Sequence, residues 1–176
     1  MMNNKIFLIS PDDVKAASNI NYNVDDGDVS SAIRTSQNIY LRDIIGDYLL
    51  ERLQDMVADG SIEDPENAAY LTLLDDYVSE YLALKACVEV CVPISFKIRN
   101  IGISQDFDSN IQAAQLQNIA EIANYYETQA DDKANRIIDF LVENRNAFPE
   151  LHIHCGCGKK APCLKKKANT NIWLGI

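Results

Sequence analysis

The chain has 176 residues, 47% of them apolar and 24% charged, with only 7 Gly and 5 Pro. This matches an ordinary soluble globular protein of one domain, or one domain plus an extension, and argues against general disorder. The net charge of −10 is unevenly divided: the first 150 residues hold all 26 acids against 11 Lys and Arg, whereas the last 26 carry five Lys and no acid. A body at −15 repels phosphates, which excludes groove binding of nucleic acid by the body, and no apolar run approaches the ~20 residues that span a bilayer.

Ser10-Pro11-Asp12-Asp13 predicts a helix start, with Ser as cap, Pro in the first turn and acids where the helix dipole favours them. After a polar turn over 23–28, with Asp28 as the expected cap, a second helix carries Ile33, Gln37, Tyr40, Leu41 and Ile44 on one face and breaks at Gly46. A third runs from Asp47 to Ala58, with Leu49, Leu50, Leu53 and Val57 inward, and stops at Asp59-Gly60. Asp64-Pro65-Glu66 opens a longer helix with Leu71, Leu74, Tyr77, Val78, Tyr81, Leu84, Val88 and Cys91 on its stripe, and Pro93 is expected to end it.

From Ile94 to Ser104 the apolar period shortens to two, which predicts a short strand or hairpin turning near Asn100 and Gly102. A lone hairpin must pack on a helix or pair with another chain. From Ser109 to about Asn146 the helical period returns, with Ile111, Leu116, Ile119, Ile122, Tyr126, Ala130, Ile137, Leu141 and Val142 on the expected inner stripe. A helix of that length, roughly 50 Å, outruns a small core. Phe148-Pro149 stops it. The sequence thus predicts a mainly α fold: a small helical bundle of about five helices, two of them long, with a β-hairpin at about 94–104. Residues 1–150 form the helical domain and 151–176 an extended basic arm.

The arm gathers His152, His154, Cys155, Cys157 and Cys163. Thiolates and imidazoles suit zinc, and a zinc-binding adaptor whose tail recruits a partner is the alternative reading. The spacing lacks Cys-x₂-Cys pairs, so the favoured reading assigns no metal and no cofactor. The N-terminal run Ile6–Ile9 is too short for a signal-peptide core, so the five Cys are expected to be mostly free thiols in a reducing compartment. Cys87 and Cys91, one turn apart on an apolar face with no His near in sequence, are expected in the core rather than in catalysis. The acidic pairs fall at helix starts or on solvated faces, and Asp25 to Asp28 lacks the closing Glu of a calcium loop. No phosphate loop, nucleophile elbow or His-Glu-x-x-His occurs, so no active site and no enzyme is expected.

The order of elements is familiar. Ser31-Ala32-Ile33-x-x-Ser36-Gln37-x-x-Tyr40-Leu41, then Ile44-Ile45-Gly46-Asp47-Tyr48-Leu49, resembles the helical head–tail connector (portal adaptor) proteins of tailed bacteriophages, where a helix ending in (Leu/Ile)-Gly-x-x-Leu is characteristic. Ile98-Arg99-Asn100-Ile101-Gly102-Ile103 and Leu141-x-x-Asn144-x-x-x-Phe148-Pro149-Glu150 resemble the subgroup in crAss-like phages of gut Bacteroidetes. The likeness spans about residues 5 to 150, with a short opening strand ahead of the first helix.

It implies a virion protein at the head–tail interface, assembled in the host cytoplasm. It would form a ring of twelve copies under the portal protein, seat the next tail component, and let genomic DNA pass without sequence-specific contact or a membrane partner. No catalytic residues carry over. A C-terminal arm in such proteins grips the portal or a neighbour. Here Lys159, Lys160, Lys165, Lys166 and Lys167 are expected on acidic faces next door, and Ile172, Trp173 and Leu174 as the apolar anchor.

Overall fold

The computed structural model describes residues 6–18, 24–99, 102–105, 116–153 and 158–166. Among these the fold is mainly helical, and no helix is long and apolar enough to cross a membrane. Helix α1 (Pro11–Ala16) is closed by a capping box: the Ser10 hydroxyl accepts the Asp13 N–H at 3.3 Å, and the Asp13 carboxylate accepts the Ser10 N–H at 2.7 Å. The stretch ahead of α1 is not the expected strand. The Leu8 N–H donates to Gln37 Oε1 at 2.9 Å, and the side-chain amides of Gln37 and Gln54 both donate to the Ile6 carbonyl, at 3.0 and 3.2 Å. Two buried glutamines therefore do for this backbone what a neighbouring strand would do.

Helix α2 (Asp26–Thr35) begins earlier than expected, because Asp25 rather than Asp28 caps it, accepting the Gly27 N–H at 2.6 Å. Buried Lys15 reaches across from α1 to Asp26 at 2.5 Å. A π-helical turn, Ser36–Leu41, joins α2 to α3 (Arg42–Asp59), which ends at left-handed Gly60. Helix α4 (Ala68–Thr72) likewise runs through a π turn, Leu73–Val78, into α5 (Ser79–Ser95). The helices thus join into four rods among the described residues, not about five, the second rod being broken at Gly46. Pro93 does not end α5: it falls within the last turn, where a missing N–H forgoes a single bond. The backbones of β1 (Phe96–Arg99) and β2 (Gly102–Gln105) pair antiparallel, Phe96 opposite Gln105 and Arg99 opposite Gly102. Residues 106–115 lie outside the described ones, and α6 (Leu116–Glu143), 28 residues and about 42 Å long, follows.

Helix α5 is the centre of the molecule. Every residue from Tyr81 to Cys87 is buried, Lys85 included, between α6, α2 and α1. Lys85 is tolerated because it ends on the Glu127 carboxylate at 2.6 Å and lies 4.1 Å over the Tyr40 ring. Along α6, Tyr126, Ala130, Ala134, Ile137 and Leu141 are buried, but Ile122 and Val142, expected inside, are 50% and 54% exposed. Buried Phe148 then sets its ring edge-on to Tyr70 at 5.1 Å, and the Tyr70 hydroxyl donates to Glu150 at 2.9 Å. The chain after α6 is thereby locked back onto α4.

Candidate functional site

Gly46 departs from helical geometry inside α3, with φ 81° and ψ 169°, a conformation essentially restricted to glycine. Such a break strands backbone groups that the helix would have paired: carbonyls before it and an N–H after it. Residues 158–166, the strap, lie across the break and take them up. The Cys163 N–H donates to the Asp43 and Ile44 carbonyls at 3.2 and 3.1 Å, and the Asp47 N–H donates to the Lys160 carbonyl at 3.0 Å. The Lys160 N–H in turn donates to the Asp47 carboxylate at 2.6 Å, while Arg42 grips that carboxylate bidentately from the other side of the break. The approach is close enough that a methyl group on Gly46 would stand 2.8 Å from the Pro162 nitrogen and 3.1 Å from the Lys160 carbonyl oxygen. One glycine thus serves both the turn and the seat.

Charge follows the same path. Lys159 pairs with Glu51 and sits 4.5 Å over the Tyr48 ring, Lys160 pairs with Asp43, and Lys166 pairs with Asp139 on α6 at 2.7 Å. These three lysines lie on acids of their own chain, because the strap is already bound at the Gly46 break and the body's acidic helix faces are the nearest counter-charge. Lys165 is exposed beside them. Lys167, Ile172, Trp173 and Leu174 lie outside the described residues, as do His154, Cys155 and Cys157; among the described residues no cluster of metal-ligating side chains occurs.

Beneath the strap opens a largely apolar cleft of about 320 Å³, walled by Tyr40, Tyr81, Ala134 and Ile138 and rimmed by Cys163 and Lys165. Tyr81 is 1% exposed, and its hydroxyl has no hydrogen-bond partner among the described residues. Burial, ahead of the nearby Glu127, Asp131 and Asp43 charges, pushes its pKa well above the ordinary tyrosine value, so the hydroxyl keeps its proton. Leaving such a group unpaired costs about 1–3 kcal/mol. Neighbouring Tyr40 is also raised, first through its hydrogen bond to Glu89 and then through burial.

Cys87 and Cys91 are held in the protonated thiol form. Burial pushes Cys87 up to about 11 and raises Cys91, whose Sγ donates to the Cys87 carbonyl at 3.0 Å. Sequence reasoning did not find the strap's seat. Its signal was a glycine within an apolar helical run followed at once by Asp, with a second partner, Pro162, more than a hundred residues away.

No curated protein and no solved structure matches the chain. A family model described as a family of unknown function (DUF6712) matches residues 41–161, which takes in the Gly46 break and the start of the strap and crosses the expected boundary after residue 150. That match covers more than half of the 176 residues. The chain therefore belongs to the DUF6712 family.

Proposed function

We propose that this protein is a non-enzymatic structural component of a phage virion: a head–tail connector that forms a ring under the portal, extends the DNA channel and seats the next tail component. The observation that carries the reading is the outward apolar side of α6. Ile122 and Tyr125, three residues apart and so on one helical face, are 50% and 63% exposed. A single copy leaves them in water, whereas a head-to-tail contact between identical copies covers them and closes into a ring. Lys159, Lys160 and Lys166 pair with acids of their own chain, so on this reading α6 rather than the strap carries the contact. The acidic body agrees with a channel that DNA crosses without sticking. The resemblance of Ile44-Ile45-Gly46-Asp47-Tyr48-Leu49 to the connector motif supplies the rest of the support.

Mass photometry and electron microscopy of the purified protein, alone and with portal protein, test this reading. A closed ring that binds the portal is the expected outcome. A strictly monomeric species that ignores the portal overturns it.

A further inference from the structure

A contact that closes a ring of identical copies is heterologous: each copy carries two different surfaces that fit one another. The outward patch of α6 is one of them. Ile122 and Tyr125 are 50% and 63% exposed, and exposed Glu121, one turn before Tyr125, has no partner among the described residues. The surface that answers this patch is apolar and concave, with a cation at its edge. The cleft beneath the strap has these properties. Its volume is about 320 Å³, with half-buried Tyr40 at its side and buried Ile44 and Ile138 beneath. Cys163 and Lys165 stand exposed at the rim. The Asp43 carboxylate there is taken by Lys160, whereas Lys165 has no partner among the described residues. Helix geometry keeps a copy from filling its own cleft. Ile122 and Tyr125 lie about 120–180° around α6 from Ala134 and Ile138, which line the cleft, and about 14–24 Å before them along the axis. Helix α6 thus shows the patch on one side and builds the cleft on the other.

We propose that the cleft bounded by Tyr40, Ile44, Ile138 and Lys165 is the seat for Ile122 and Tyr125 of a second copy, whose Glu121 pairs with Lys165. Ile122 enters the apolar interior. The Tyr125 ring lies over the mouth with its hydroxyl at the polar rim, an arrangement that suits a side chain with one wet end. The Glu121–Lys165 pair sets the register of the contact. The strap takes part without reaching across: seated at the Gly46 break, it holds Cys163 and Lys165 at the edge of the seat. This assignment rests on the ring reading and names the receiving surface that reading leaves open.

The exposed thiol of Cys163 at the rim offers a direct probe. In a full chain carrying Tyr125→Cys, with Cys155→Ser and Cys157→Ser, a short bismaleimide should join the thiol introduced at position 125 to Cys163 of another copy. A ladder of multimers on a denaturing gel is expected, with the joined peptides identified by mass spectrometry. Charge reversal supplies a second measurement, by mass photometry at one moderate salt concentration. Glu121→Lys and Lys165→Glu should each raise the concentration at half assembly on the order of tenfold, and the two together should restore most of the loss. Glu121, Tyr125 and Lys165 are all exposed, so the subunit should keep its circular dichroism. Rings of the parent protein without a cross-link in the cysteine variant, or a double reversal no better than the worse single one, would overturn the seat and leave the ring reading standing. A cross-link formed within one copy would overturn it too, because it would put the patch beside its own cleft. A parent protein that assembles at no salt concentration would overturn both.

Discussion

At the scale of the residue, Gly46 carries two requirements at once. Its positive φ with extended ψ turns the chain, and its missing side chain lets Pro162 and the Lys160 carbonyl reach the broken helix. Gly46→Ala sets these against each other: the backbone strain alone costs about 1–3 kcal/mol, and the methyl group displaces the strap. The expected outcome is a loss of about 2–4 kcal/mol in urea unfolding, with trypsin cutting after Lys159 and Lys160 much faster than in the parent protein. An alanine variant with unchanged stability and an equally protected strap would refute this account of the break. The sequence made half of it legible. A glycine inside Ile-Ile-Gly-Asp-Tyr-Leu announces a helix break, because glycine is poor in a helix interior. What fills the break is not local, and no periodicity connects Gly46 to Pro162. Lys159, Lys160 and Lys166 were legible as charge but not as placement, since the acids that receive them are ordinary surface residues of α3 and α6.

At the scale of the element, rod lengths and burial patterns separate what periodicity can reveal from what it cannot. The apolar spacing located α3, α5 and α6, because a buried stripe at 3.6 residues is imposed by the core. The two π turns escaped it. Each adds a residue to a turn, and Leu82, Ala83 and Val90 are buried beyond the expected face because α5 packs against α6, α2 and α1 at once. The tie between α4 and the chain after α6 was visible only as Phe148-Pro149-Glu150, with no sign that Tyr70 was its partner.

That tie has a pH signature. Burial, followed by the hydrogen bond to Glu150, raises Tyr70 from the ordinary 10.0 to about 12. The folded state therefore holds the phenol proton more tightly than the unfolded state. The contribution to stability is complete below pH 10 and is lost as pH rises through about 12, a fall on the order of 1 kcal/mol. Tyr70→Phe is expected to cost about 1 kcal/mol at neutral pH, and the difference between parent and variant should shrink across that alkaline window. Equilibrium unfolding followed by circular dichroism at several pH values measures it. A parent-minus-variant difference that grows with pH would reverse the assigned sign.

At the scale of the whole molecule, the division of charge and the outward face of α6 bear on the same question, how copies meet. The excess of acid over base makes the bodies repel one another at low salt, so any ring contact must be driven by apolar burial that screening leaves intact. Ile122 and Tyr125 supply such a surface, 50% and 63% exposed, with the Tyr125 ring set edge-on to that of core residue Tyr126 at 5.4 Å. Ile122→Asp combined with Tyr125→Asp removes the apolar face without opening a cavity. Substitutions at exposed positions normally change stability by less than about 0.5 kcal/mol, so the melting temperature of the single subunit should barely move. Assembly should respond strongly, because two carboxylates would be buried at every contact around the ring and the deficit repeats with each copy. The expected outcome by mass photometry is monomer alone for the double variant, whereas the parent protein forms rings more readily as salt is raised. Rings that persist in the double variant would remove α6 from the interface and leave the assembly surface to be sought on another face of the body.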